Sequence, residues 1–246
     1  MEGAQLRRRP LGSHSQPRCD WCHMEKKMQA NPLNDMAESR GLLLAGIAAP
    51  VVLTVAIVLA GYYEPDYSHV SQYVSELGAV GASHQRAFNY GGLFLSGLLT
   101  VLFALGLYLR VKPRALLVAI SVLAALAGVG RLVAGLFPCD AGCNMEEMSI
   151  PATIHASAAF IGVMSGVFAP ILLAIGLRRC RQNILFRLSA GLGSASLVLA
   201  VFFFGFGKGL PYIGVIQRLI LAAFYVWVIA VALTIDALQP DERRRD

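Results

Sequence analysis

Six stretches with few or no charges dominate this chain, running over residues 42–62, 88–109, 116–137, 154–177, 188–206 and 213–238. The hydrocarbon core of a bilayer is about 30 Å thick and takes about 20 apolar residues of helix to cross, so each stretch is of spanning length. Composition agrees: 56% of the residues are hydrophobic and only 15% are charged, too few polar groups for an ordinary water-soluble domain. The expected fold is all-α, a polytopic transmembrane bundle of six helices over residues 41–239. A basic tail at 1–40 and a charged tail at 240–246 flank it.

Basic residues set the expected orientation. Arg7, Arg8, Arg9, Arg18, Lys26, Lys27 and Arg40 precede the first stretch; Arg110, Lys112 and Arg114 follow the second; Arg178, Arg179, Arg181 and Arg187 follow the fourth; Arg243, Arg244 and Arg245 end the chain. With an even number of alternating spans these all fall on one side, which the positive-inside rule makes cytoplasmic, so both termini are expected inside a cell membrane. The net charge of +6 then describes a basic inner face suited to anionic lipid headgroups, and calls for no nucleic acid.

The first forty residues are rich in Arg, Pro, Ser, Asn and Gln without an apolar run, and read as a disordered cytoplasmic tail with no cleavable signal. Met36 offers a second sensible start besides Met1. Cys19-Asp20-Trp21-Cys22-His23 matches the C-x-x-C-H pattern of covalent c-type haem. Its expected cytoplasmic location argues against haem and for a chance match or a weak metal site.

Small residues at helix-packing spacing, Ala158, Gly162 and Gly166 in the fourth stretch and Ser189 and Gly193 in the fifth, let backbones approach closely in lipid. Tyr62, Tyr63, Tyr90, Tyr108 and Tyr212 suit interfacial anchors. Between the first two stretches, Val70, Tyr73, Val74 and Leu77 recur at helical spacing among polar residues, predicting a short interfacial helix capped by Asp66 and closed by Gly78.

The residues that bear on function are polar groups near the outer ends of the spans, because an ionisable side chain beside hydrocarbon needs a partner or a water-filled cavity. Arg131 lies about two turns inside the third span. Asp140 follows that span, His155 opens the fourth, Arg218 is about one turn into the sixth, and Glu76 and Asn89 flank the approach to the second. Their common depth suggests one pocket, although Arg131 and Arg218 paired with Asp140 and Glu76 would equally fasten helices together. Cys139 and Cys143 form a disulfide in an oxidising compartment if the loop bends, or share a metal with Asp140 and His155.

Ser68-His69-Val70-Ser71-Gln72-Tyr73-Val74-Ser75-Glu76-Leu77-Gly78, Phe137-Pro138-Cys139-Asp140, His155 and Gln217-Arg218 resemble, in that order, the six-helix membrane family known as domain of unknown function 998. The resemblance runs from Leu42 to Leu238 and implies that Ser75, Glu76, Asp140, His155 and Arg218 are this chain's versions of the family's polar positions. It implies a fold and a place in a membrane, but no reaction. Two classes of function stay open. One is binding or transport of a small solute or lipid, or an accessory role, with no complete charged path across the bilayer evident. The other is metal-assisted hydrolysis of a lipid or lipid-linked substrate, in which Asp140 and His155 hold a divalent metal and the arginines hold a phosphate or carboxylate. No H-E-x-x-H or G-x-S-x-G motif supports the second.

Overall fold

The computed structural model describes residues 36–110, 115–178 and 183–237. The C-x-x-C-H motif and the 240–246 tail lie outside these residues. Among them every regular element is a helix and none is a strand, and six helices are long and apolar enough to cross a membrane. α1 spans Met36–Tyr63, and begins within the expected tail. A π-helical entry at Ala87–Phe94 runs straight into α2, Leu95–Arg110. α3 is Ala115–Leu136, α4 Ile150–Gly176, α5 Ile184–Phe206 and α6 Ile213–Ala237. Ser149 and Asn183 cap α4 and α5, accepting from the amides of Ala152 and Leu185.

Short connections make neighbouring helices antiparallel, so the start of α1 and the end of α6 meet at one end of the bundle. The Arg40 guanidinium and the Asp236 carboxylate pair there at 3.0 Å. Call this the terminal end. The segments 64–86, 137–149 and 207–212 gather at the opposite, loop end.

In lipid the contacts that hold such helices together are close packing rather than exclusion of water. Gly130 on α3 meets Gly162 on α4 so tightly that a Cβ on Gly130 would stand 2.7 Å from the Gly162 Cα and 2.6 Å from the Ala158 carbonyl. Gly97 and Gly128 interlock α2 and α3 in the same way, and a Cβ on Gly193 would run into Ile171. Of the expected small-residue positions, Ala158, Gly162 and Gly193 are thus where backbones approach, whereas Gly166 makes room for the Phe224 ring. Trp227, wholly buried, donates its indole N–H to Ser189 Oγ at 3.1 Å and ties α6 to α5. The outward faces stay apolar, as Val58, Val122, Val201 and Leu233 illustrate with more than half of each exposed. Tyr62, Tyr63, Tyr90, Tyr108 and Tyr212 remain exposed near helix ends.

The segment after α1 differs from expectation. Only Val74–Gly78 is helical, as a single 3-10 turn, and Asp66 adopts a left-handed turn conformation (φ 57°) instead of capping. Side chains compete with the helix for backbone groups here. Ser68 Oγ accepts from the amides of Val70 and Ser71, Gln72 Oε1 accepts from Ser68 N, and Glu76 Oε1 accepts from Tyr73 N. Val70 faces outward while Val74 and Leu77 are buried, so the segment is folded inward onto the bundle.

Candidate functional site

The inward-folded segment closes the loop end, and α6 holds it there. Gly214 allows the contact: a Cβ on it would meet the carbonyls of His69 at 2.7 Å and Val70 at 2.9 Å. Val215 N donates to Val70 O, and Gln217 Oε1 accepts from Val74 N at 2.6 Å. Arg218 spreads over the rest, donating to Gln72 O at 3.2 Å, Gly214 O at 2.9 Å, the Tyr67 hydroxyl at 2.6 Å and His69 Nδ1 at 2.9 Å. Burial, and then the charge of Arg218, keep the His69 imidazole below its usual pKa, which preserves the lone pair that accepts from Arg218. Tyr67 hydroxyl in turn donates to Tyr73 O. Burial pushes its phenol up, against the opposing pull of Arg218.

Glu76 is buried and accepts from Gln72 Nε2 and Tyr73 N, each at 3.0 Å. Asn89, in the π-helical entry to α2, donates to Gly78 O at 2.9 Å. Asp140 accepts both the amide (2.8 Å) and the hydroxyl (2.7 Å) of Ser149, the N-cap of α4. Those bonds, backbone first, lower its carboxyl pKa. Val80 N donates to Cys139 O, joining the first loop to the second, and Cys139 and Cys143 are disulfide-bonded with their Cα atoms 5.1 Å apart. The bridge packs on Ser75, whose hydroxyl lies 3.5 Å from Cys143 Sγ.

Beneath this cover lie two adjoining cavities. An inner chamber of about 80 Å³ is bounded by α1, the π-helical entry to α2, α3, α4 and α6, with Arg131 on its wall beside Leu53, Leu93, Leu221 and Phe224. An outer vestibule of about 180 Å³ is lined by Tyr73, Met145, Met148, Phe203, Phe204 and the disulfide. Ser75, His155, Ala159, Val163 and Gln217 line both and mark where they adjoin. His155 is buried, and its Nδ1 lies 3.0 Å from Ala134 O and 2.8 Å from Phe137 O. Carbonyls only accept, so Nδ1 carries the proton and Nε2 of the neutral ring is an acceptor.

Arg131 has no carboxylate partner among the described residues. Its Nη2 donates to Thr100 Oγ1 at 3.0 Å, and its guanidinium carbon stands 5.2 Å from the centre of the Phe224 ring and 4.9 Å from that of Tyr225. Its Nε is buried with no partner.

The seven expected pocket residues therefore divide. Ser75, Arg131 and His155 line the cavities, whereas Glu76, Asn89, Asp140 and Arg218 build the cover and its supports. The alternative pairing of Arg131 and Arg218 with Asp140 and Glu76 is not what holds the helices: among the described residues Arg218 donates to backbone carbonyls, the Tyr67 hydroxyl and His69, Arg131 donates to Thr100 alone, and Ser149 takes Asp140. No group of three or more His, Cys, Asp or Glu with metal-binding geometry occurs among the described residues, while a catalytic zinc ordinarily takes three protein ligands. Thr100, Phe224, Tyr225, Met145 and Met148 had no signal in the sequence. Gln217 did, as a neutral polar residue beside Arg218 within a span.

Six membrane-length apolar helices around an inward-folded polar loop define a multi-pass membrane protein. The family model described as protein of unknown function (DUF998) matches residues 47–234, and the chain belongs to that family. No curated protein and no solved structure matches it.

Proposed function

We propose that this protein binds a small solute or lipid in the paired cavities at its loop end, as a receptor, carrier or accessory component of a membrane. The observation that supports this most directly is the arrangement of the two cavities. Ser75, His155 and Gln217 bring polar groups to the junction of an apolar vestibule and a chamber bearing a cation. Ligand pockets combine mostly apolar lining with a few convergent polar groups in this way. The loop end faces away from the cytoplasm of the cell membrane in this reading, and the terminal end meets anionic lipids. The disulfide at the loop end suits an oxidising compartment, and the basic connections suit the inner face.

The test is to fill the shared wall. Ala159→Trp is expected to abolish binding of the small molecules or lipids that accompany the wild-type protein in native mass spectrometry, while Val198→Trp, on an outward face, leaves them in place. Equal retention by both variants would sink the reading. Orientation is checked separately by an impermeant maleimide on intact cells, with Glu147→Cys expected to label.

A second reading has one observation behind it. His155 presents an acceptor Nε2 as part of a wall shared by both cavities, the requirement for a metal ligand or a general base in a hydrolase acting on a lipid or lipid-linked substrate. Elemental analysis decides it: stoichiometric divalent metal lost in both His155→Ala and Asp140→Ala would favour the hydrolase.

A further inference from the structure

Resting on the binding reading above, we propose that the ligand is an anionic amphiphile, whose carboxylate or phosphate head sits against Arg131 and whose apolar chain occupies the vestibule.

The charge of the head follows from the surroundings of Arg131. A guanidinium carries five N–H donors and stays protonated at any physiological pH. Among the described residues Arg131 has one hydrogen-bond acceptor, Thr100 Oγ1, two aromatic faces and no carboxylate, and its Nε is buried without a partner. Rings attract a cation but accept no hydrogen bond in the guanidinium plane, so they leave the donors unfilled. A carboxylate or phosphate group fills them in the fork geometry an arginine presents. A cation inside a spanning helix with no anionic partner is otherwise expensive.

The size of the head follows from the chamber. At about 80 Å³ it has room for only a few water-sized groups, which admits a carboxylate or a phosphate but not a sugar. The chain follows from the vestibule. Met145, Met148, Phe203 and Phe204 offer adaptable and flat apolar surface with almost no charge. Phe204 is also 40% exposed and meets Phe160 of α4 at 4.9 Å between ring centres, so the vestibule borders the lipid-facing seam between α4 and α5.

The experiment uses the full chain in phosphatidylcholine nanodiscs doped, at equal mole fraction, with dodecyl phosphate, dodecanoate, dodecyltrimethylammonium or dodecanol, with inorganic phosphate as a fifth probe. Native mass spectrometry reads the bound molecules. One molecule of dodecyl phosphate or dodecanoate is expected on the wild type, with binding at least tenfold weaker in Arg131→Gln and partly restored in Arg131→Lys. If the ammonium or the alcohol binds as well as the anions, or if Arg131→Gln binds them undiminished, the anionic head is wrong although the pocket stands. Binding of inorganic phosphate at the same site without gain from an alkyl chain would overturn the amphiphile. Absence of all five probes, with Ala159→Trp indistinguishable from wild type, would instead remove the pocket reading itself. Should Arg131→Gln fail to fold, the discrimination among head groups by the wild type still decides the matter.

Discussion

Arg131 and Arg218 stand on spanning helices near the same end of the bundle, in opposite surroundings. Arg218 is turned to the protein's own backbone and side chains: two carbonyls, a hydroxyl and an imidazole accept from its two terminal nitrogens, leaving only its buried Nε without a partner among the described residues, and so bind the segment 67–78 to α6. Arg131 has one hydroxyl and two rings, and faces a cavity. The difference separates scaffold from site. A charge whose hydrogen-bonding capacity the fold mostly consumes is a fastener, and one whose capacity the fold mostly leaves over is available to something else.

That contrast is open to direct attack. Arg218→Leu leaves four acceptors without their donor and is expected to destabilise the protein by about 2–4 kcal/mol, seen as a lower melting temperature and faster proteolysis within residues 67–78. Arg131→Gln is expected to stay within about 1 kcal/mol of wild type. Equal losses in the two variants would erase the distinction between fastener and site.

The same cover can be lifted without touching charge. Gly214→Ala drives a methyl group into the carbonyls of His69 and Val70 and is expected to cost about 1–3 kcal/mol, with the greatest rise in hydrogen exchange along 67–78. Exchange unchanged in that segment would mean that α6 does not hold it.

A smaller effect is expected at the second loop. Ser149→Ala removes the cap of α4, for a loss of about 1 kcal/mol, and takes from Asp140 the hydroxyl bond while leaving the amide bond. The lowered carboxyl of Asp140 means that the unfolded chain binds more protons near pH 4, so its contribution is present above that range and fades as pH falls through the folded value. Melting temperatures between pH 3 and pH 6 should show this dependence in the wild type and a weaker one in Ser149→Ala.

The slightest expected change belongs to His69. Its imidazole is held below the ordinary value of about 6.5, so it favours the fold when neutral, and the contribution declines as acidification charges it beside Arg218. A pH titration of exchange in residues 67–78 should show loosening below about pH 6.5, absent in His69→Gln.

Much of this architecture was open to reading along the chain. The bilayer imposes a one-dimensional rule, about 20 apolar residues per crossing, so the six helices and their order follow from runs of apolar residues. Gly162 and Gly193 were equally legible, because close approach in lipid demands small side chains. The even helix count already implied that both ends lie on the same side of the bundle, but not that Arg40 and Asp236 pair there. The short helix expected at 68–78 failed because its apolar spacing was real but its Ser, Gln and Glu side chains bind the local backbone, which hydropathy does not register.

The partners of the charged residues were beyond the sequence. Shared depth near one end suggested that Arg131, Arg218, Asp140, Glu76 and His155 meet, but depth leaves the rotation of each helix about its axis undetermined. Packing at Gly130, Gly162 and Gly214 sets those rotations. It is these contacts that turn Arg218 onto loop carbonyls, and Arg131 toward Phe224, Tyr225 and the chamber. Hydrophobic length is a property of each helix alone, whereas the direction of a side chain depends on every neighbour against which its helix packs, so the sequence determined the bundle and only the tertiary structure decided its site.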